Sequence, residues 1–290
     1  MLSIIVPVGD LSRDKTNLEK ILFNAKPEHN FDIILVFDFD FDSKAEEFRN
    51  LLSTRNIRVI KSDARNPNGA RHAGFLACKG DWVIFCDSDD EVNLELLANA
   101  SPYFLEKSSL HVFSFKTEAE YTLRKKSVGR SASTLNLLKE PGLWRCVISK
   151  EILNEVTFVG GLLGEDLILL TEAILRSQRL VYHDECVYYY KEHTSFRLSN
   201  IRESNRYLVN LELFTKCLVK SVESINRNSL LASGIFLSFV ISSLASSTST
   251  FENKANLIVL REIKGNYKFL VNCLLVLPVV LFLKLKRRFE

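Results

Sequence analysis

The stretch Lys79-Gly80-Asp81-Trp82-Val83-Ile84-Phe85-Cys86-Asp87-Ser88-Asp89-Asp90 decides how the chain folds. Trp82 to Cys86 is a short apolar run of strand length, and it ends directly in a cluster of carboxylates. The acids therefore emerge where the backbone leaves a sheet. Like charges this close repel unless a cation sits among them, and carboxylate oxygens suit hard ions such as Mg2+ or Mn2+. Alternate positions of an extended segment point the same way, so Asp87 and Asp89 are expected to share a ligand. The same triplet also suits a helix N-cap ahead of Asn93 to Leu105. On these residues alone, both readings stand.

Upstream, short β-branched runs alternate with amphipathic ones. Leu2 to Val8 is apolar, Leu18, Ile21, Leu22 and Ala25 fall at helical spacing, and Asp32 to Phe37 is apolar again. Phe48, Leu51 and Leu52 suggest a second helix, Ile57 to Ile60 a third strand, and Ala70 to Cys78 a helix before the acidic strand. Strands and helices alternating in this way imply βαβ units and a mostly parallel sheet, whose ligands bind at the carboxyl ends of the strands. Asp38 and Asp87 both follow such strands. Asn68-Gly69-Ala70-Arg71 opens the helix between them. A Gly there would let a phosphate approach backbone N–H groups, and Arg71 would add a positive fork. Taken by itself, the segment reads better as an ordinary loop-to-helix junction with a surface Arg.

The 290 residues are 47% hydrophobic and 25% charged, the balance of a folded globular protein. A formal charge of +3 gives no argument for nucleic acid. The six cysteines show no metal-site spacing and several lie in apolar segments, so they read as buried free thiols of a reducing compartment. The run from Leu2 begins at Met1 without a basic n-region and is cut short by Pro7 and Asp10, which marks a first strand and a cytosolic protein rather than a secretory signal. Downstream, Leu110 to Phe115, the basic Arg124 to Lys126, a helical run from Leu162 to Leu175, and Val187 to Tyr190 keep a mixed character. From Ser199 helical patterns dominate, over Arg202 to Val222, Leu230 to Leu244 and Phe269 to Leu283. A boundary is expected near residue 198, between an α/β domain (1–198) and a helical region (199–290). Within the latter, 269–288 is apolar and then basic, Lys284 to Arg288. That run is short of the ~20 residues that span a bilayer, and suits either a membrane interface or a core helix with a basic end.

Taken together, Leu2-Ser-Ile-Ile-Val-Pro7, Asp32-Ile-Ile-Leu-Val-Phe-Asp38, Asn68-Gly-Ala-Arg-His-Ala-Gly74 and Lys79 to Asp90 occur in the order and spacing of family 2 glycosyltransferases with the GT-A fold. Gly164-Glu165-Asp166, the run Leu167 to Leu175 and Tyr188-Tyr-Tyr-Lys191 resemble the second half of that pattern. The resemblance covers roughly residues 1–198. It implies a nucleotide-binding half (1–100), an acceptor-side half (101–198), and a metal-dependent, inverting transfer of a sugar from a nucleotide-sugar donor, UDP-linked. The acceptor implied is a hydroxyl of a cell-surface glycan or lipid-linked glycan, met at the inner face of the membrane.

Residue by residue, the resemblance puts Pro7, Val8 and Asp38 at the base and ribose and Arg71 beside the nucleotide. Asp87 would contact the ribose and Asp89 would hold Mn2+ or Mg2+ on the diphosphate, with Asp87 as a second metal ligand and Ser88 in the same nucleotide-binding set. Of the pair Glu165 and Asp166, one takes the acceptor proton; neighbours on a helix diverge by ~100°, and Asp166 is the expected base. Trp144 would stack on an acceptor sugar, and Lys191 and His193 would lie near the diphosphate on the acceptor side. Asp90 and Glu91 are expected to cap the next helix. The chain departs from the pattern at Gly9-Asp10, where the family has Tyr-Asn, at Phe37-Asp38, where two Asp are frequent, and at His72, in place of Asn. Two rival readings remain. A nucleotidyltransferase would need a longer Gly-rich loop than Val8-Gly9-Asp10-Leu11, and a non-catalytic sugar-nucleotide module would lack turnover.

Overall fold

The computed structural model describes residues 1–9, 11–37, 57–117, 132–160, 165–191, 212, 214–216, 218–219, 227–245 and 271–280. Asp38, His193, the helix expected near 48–52, most of that expected over 202–222, and the basic run 284–288 lie outside them. In chain order the elements are β1 (Leu2–Val8), α1 (Leu11–Asn24), β2 (Phe31–Phe37), β3 (Ile57–Lys61), α2 (Pro67–Ala77), β4 (Trp82–Phe85), β5 (Glu91–Val92) and α3 (Leu94–Ala100). There follow β6 (Ser109–Thr117), α4 (Thr134–Lys139), β7 (Cys146–Ser149), α5 (Lys150–Asn154), α6 (Glu165–Arg176), β8 (Arg179–Tyr190) and α7 (Arg227–Ala245). A last helical segment, α8, covers 271–280.

The eight strands form one sheet in the order β3-β2-β1-β4-β7-β6-β8-β5. The parallel half expected from the sequence is β3-β2-β1-β4; beyond it β7 runs antiparallel to both β4 and β6, and β5 antiparallel to β8. β1 and β2 are buried along their whole length, which is why both read as apolar runs, broken only by Ser3 and Asp32. From β1 the chain steps outward to β2 and β3, and β4 returns to the opposite side of β1. The carboxyl ends of β1 and β4 thus flank the point where strand order reverses, the usual crevice for a ligand in such a sheet. Ile5 O still accepts from Cys86 N at 2.9 Å, but β4 ends at Phe85, so the N–H that Pro7 lacks falls where no β4 partner continues.

The chain divides into two compact units, Met1–Ala132 with Trp144–Gly160 and Arg179–Thr194, and Ser133–Leu143 with Gly161–Gln178 and Ser195–Glu290. The first holds the sheet, α1, α2, α3 and α5. α2 lies tight on β1, since a Cβ at Gly74 would stand 2.4 Å from Ile5 Cγ2. In the second unit α7 packs on α6 and α4, and Asn228 Nδ2 closes the end of α6 by donating to Ile174 O (3.1 Å) and Ser177 O (2.7 Å). α8 is inverted: Asn272 and Cys273 are buried, while Leu274, Leu275, Pro278 and Val279 are exposed. Among the described residues, no helix is long and apolar enough to cross a membrane.

Inside the first unit, β6 and β8 bury two histidines against each other. His111 Nδ1 and His183 Nε2 are 2.8 Å apart, His111 Nε2 meets Ser109 Oγ at 2.9 Å, and Phe113 stacks on His183. Burial pushes His111 down to about 4, with the charges of His183 and Arg179 acting the same way; burial also lowers His183, against the pull of Glu185 and Asp184. The folded pair therefore binds protons later than the unfolded chain does, so stability is fully present above pH ~6.5 and is lost as pH falls toward 4. A shift of that size in one buried His is worth ~3 kcal/mol. Thermal melts at pH 7.5, 6 and 5 should show Tm falling with pH, and His111→Gln should flatten the fall; a Tm equally steep in the variant would take the effect away from this pair.

Candidate donor site at the acidic turn

Asp87 to Asp90 form a tight turn closed by Asp90 N donating to Asp87 O at 3.1 Å, not the extended segment that alternation suggested. Within the turn, alternate residues still face opposite ways. Ser88 and Asp90 are buried and Asp87 and Asp89 are half-exposed. The buried pair is anchored. Ser88 Oγ donates to the buried Asp14 carboxylate at 2.5 Å. Asp90 accepts from Tyr188 Oη at 2.9 Å and from Lys191 N at 2.8 Å, and Tyr188 Oη in turn accepts from Asp87 N at 3.2 Å. Burial pushes the Asp90 carboxyl up to about 8, and the charges of Asp87 and Asp89 push the same way. Burial likewise raises the Tyr188 phenol well above its ordinary range.

Asp90 and Glu91 do not cap the next helix. Asn93 does so, its side chain accepting from Leu96 N at 3.0 Å, while Glu91 is part of β5, paired with Tyr189 of β8. β5 lies between the acids and the helix: Glu91 and Val92 pair with β8, and the helix starts at Leu94, so the cap falls to Asn93. Glu91 is instead an ionic node, 2.6 Å from Lys191 Nζ and 2.5 Å from Lys20 Nζ. Burial works against its charge, but the two ammonium groups outweigh that and hold its carboxyl below the usual range. Lys191 Nζ also donates to Asn17 Oδ1.

α2 supplies the second side of the site. Asn66 is its N-cap and Pro67 its first residue. Gly69 N donates to Asn66 Oδ1 at 2.8 Å, and a Cβ at Gly69 would stand 2.1 Å from Ala64 Cβ. The glycine is therefore required by the closeness of the preceding loop, and its N–H serves the cap rather than a phosphate. Arg71, buried, donates through Nη2 to Asp87 Oδ1 at 2.9 Å, which fixes one of the outward carboxylates. His72 and Phe75 both stack on Phe158, and Asn68 Nδ2 donates to Val159 O at 2.9 Å, so α2 also grips the segment that leads to Gly160.

The remaining expected residues are placed as follows. Pro7 and Val8 are buried in β1, opposite Val36 and Phe37, so their side chains belong to the core. Trp144 is half-buried in an aromatic slab, its ring 4.5 Å from Tyr188 and 5.4 Å from Tyr190, with Phe115 edge-on at 4.8 Å. Glu165 and Asp166 open α6 in the second unit; Glu165 is buried and Asp166 half-exposed. Arg71, Asp87, Ser88, Asp89 and Lys191 are brought into one neighbourhood. Asp14, Asn17, Lys20, Asp90 and Tyr188 join it without having been expected, and the spacing of Asp14, Asn17 and Lys20 on one helix face was the available signal.

Among the described residues, no group of three or more His, Cys, Asp or Glu side chains is placed to hold a metal ion. The turn offers oxygen ligands only, from Asp89 and from an Asp87 already shared with Arg71. That set suits Mg2+ or Mn2+, which bind through one or two carboxylates and complete their shell with phosphate oxygens and water.

Residues 11–143 match the family model described as glycosyl transferase family 2. The poly(ribitol-phosphate) beta-N-acetylglucosaminyltransferase TarS of Staphylococcus aureus (strain Mu50 / ATCC 700699) is 24% identical over 202 residues, 65% of this chain and 35% of that protein. The chain thus spans about a third of the length of that curated relative. The uncharacterized glycosyltransferase YibD of Escherichia coli (strain K12) is 22% identical over 251 residues, 78% of this chain and 71% of YibD. The crystal structure of S. aureus TarS 1-349 in complex with UDP-GlcNAc superposes with a TM-score of 0.71 at 18% identity, over 91% of this chain and 80% of that one.

Proposed function

We propose that the chain, whose residues 11–143 match the glycosyl transferase family 2 model and whose fold is GT-A, transfers a sugar from a nucleotide donor to an acceptor hydroxyl with inversion at the anomeric carbon. One observation carries the reading: an anchored turn presents Asp87 and Asp89 at the carboxyl ends of β1 and β4, beside Arg71, where strand order reverses. A UDP-linked donor is supported by the likeness to a protein whose structure holds UDP-GlcNAc. The acceptor class, a cell-surface glycan free or lipid-linked, is supported by the poly(ribitol-phosphate) in the name of the TarS relative.

In this reading Asp89, with Asp87, holds Mn2+ or Mg2+, which when bound neutralises charge on the leaving diphosphate. Asp87 and Arg71 border the nucleotide, with Asp38 assigned to its base and ribose. Asp166 accepts the acceptor proton as the hydroxyl oxygen bonds to the anomeric carbon and the bond from that carbon to the diphosphate oxygen breaks; the nucleoside diphosphate departs with that electron pair. The half-exposure of Asp166 beside a buried Glu165 favours it as the base. Trp144, half-buried, is assigned to the acceptor sugar, and Lys191 and His193 to the acceptor-side edge of the diphosphate.

We place the reaction at the inner face of the cytoplasmic membrane, with α8 as the contact. Its exposed face is apolar (Leu274 60%, Leu275 58% and Val279 42% exposed) while its amide residue Asn272 is buried, the reverse of a helix facing water. Lys284, Lys286, Arg287 and Arg288 follow Val280 in the sequence. Apolar contact beside cations matches an anionic bilayer surface.

Two outcomes are expected. Asp166→Asn should keep donor affinity while transfer falls ~100-fold or more, with Glu165→Gln costing less; transfer assays on both variants decide, because survival of Asp166→Asn would move or remove the base. The 290-residue chain should co-sediment with vesicles containing anionic phospholipid, less so at high salt, and Leu274→Glu with Leu275→Glu should release it. Unchanged sedimentation of that double variant would take α8 out of the contact.

A further inference from the structure

α1 buries two polar side chains, and it does so on the side that meets the acidic turn. Leu18, Ile21 and Ala25 supply its contribution to the core. A helix that only covered a sheet would need no more than these. Yet Asp14 is fully buried and Asn17 is 6% exposed. Asp14, Asn17 and Lys20 follow at steps of three and so share a flank of the helix. Their partners follow the chain order of the turn: Ser88 Oγ on Asp14 at 2.5 Å, Asp89 O on Asn17 Nδ2 at 2.9 Å, and Glu91 Oε1 on Lys20 Nζ at 2.5 Å.

We propose that Asn17 is a positioning residue for the donor site, fixing the direction in which Asp89 presents its carboxylate; this rests on the reading of the turn as the site of the donor diphosphate. The amide of Asn17 works at both ends. Nδ2 donates to the main-chain oxygen of Asp89, and Oδ1 accepts from Lys191 Nζ, whose own main chain donates to Asp90. Ser88 and Asp90 hold the residues on either side of Asp89 through their side chains, and Asn17 holds the peptide between them. A bond to that carbonyl sets the rotation of the peptide plane, and with it the line along which the Asp89 side chain leaves the backbone. A ligand residue displaced by ~1 Å can lose ~100-fold in function, so the geometry at this one peptide matters more than its small share of folding energy.

The chemistry separates positioning from support of the fold. Asn17→Asp keeps the acceptor for Lys191, and gains an ion pair with it, but replaces the donor to Asp89 O with a second oxygen, so that lone pairs face lone pairs. Asn17→Ala loses both bonds. The probe is UDP, titrated by calorimetry into the full chain with and without Mn2+, alongside thermal melts. The expected result is that Asn17→Asp melts close to wild type, retains its affinity for UDP alone, and loses ~10-fold or more of the affinity that Mn2+ adds, with Asn17→Ala losing as much and melting lower. In turnover, the KM for Mn2+ should rise while kcat at saturating Mn2+ changes little.

An Asn17→Asp protein that binds UDP with Mn2+ as the wild type does would overturn the proposal. So would a loss equal with and without the metal, or one that simply tracks Tm, since a structural role predicts those. Wild-type protein that gains nothing from Mn2+ would instead overturn the reading of the turn itself, and this role with it.

Discussion

Asp87, Asp89 and Asp90 leave a buried strand within four residues, and the rest of the first unit is arranged to keep that much negative charge at the rim of an apolar sheet. The three carboxylates are treated differently. Asp90 is turned inward, where burial and its neighbours raise it to about 8, and a phenol and a main-chain N–H satisfy it. Asp87 is compensated by the buried guanidinium of Arg71. Asp89 remains half-exposed at the mouth of the crevice. Such division is what electrostatics requires, since adjacent charges cannot all stay ionised and near one another in a medium of low dielectric.

The fold provides this arrangement through elements far apart in sequence. β8 brings Tyr188 and the main chain of Lys191 to Asp90, α2 brings Arg71 to Asp87, and α1 brings Asp14 to Ser88. β5, only two residues long, pins the exit of the turn to β8 and so commits Glu91 to the sheet. The ion pairs of Glu91 with Lys20 and Lys191 are part-exposed and each adds little to stability. Their effect is on where the turn sits, which is the link between packing and function here.

Much of the first unit was legible in the sequence, because runs such as Leu2 to Val8 and Asp32 to Phe37 are buried on both faces and so advertise themselves as parallel strands. The helix after Asn66, the strand before Asp87 and the helix after Gly164 could be read for the same reason: periodicity reports burial. Pairings could not be read. Asp90 and Glu91 look like cap residues locally, and only the ladder of β5 with β8 shows that Asn93 caps the helix. Gly69 matched a phosphate-binding pattern, whereas its real neighbour, Ala64, is five residues back. Asp14 and Asn17 showed in the sequence only as a polar flank shared with Lys20, and nothing in a polar letter distinguishes a buried bond to a distant turn from an exposed helix face. The inversion of α8, with Asn272 inward and Leu274 and Leu275 outward, likewise emerges only from burial.

Whether this turn receives the diphosphate of a nucleotide sugar is tested most directly by a crystal structure of the chain grown with UDP and Mn2+, with anomalous data at the manganese edge. The expected result is a manganese peak on the Asp89 carboxylate, diphosphate oxygens completing its shell, and the uridine lying toward the carboxyl ends of β1 and β2. Manganese and nucleotide bound together at some other place on the sheet, with Asp87 to Asp90 left as they stand in the free protein, would contradict it.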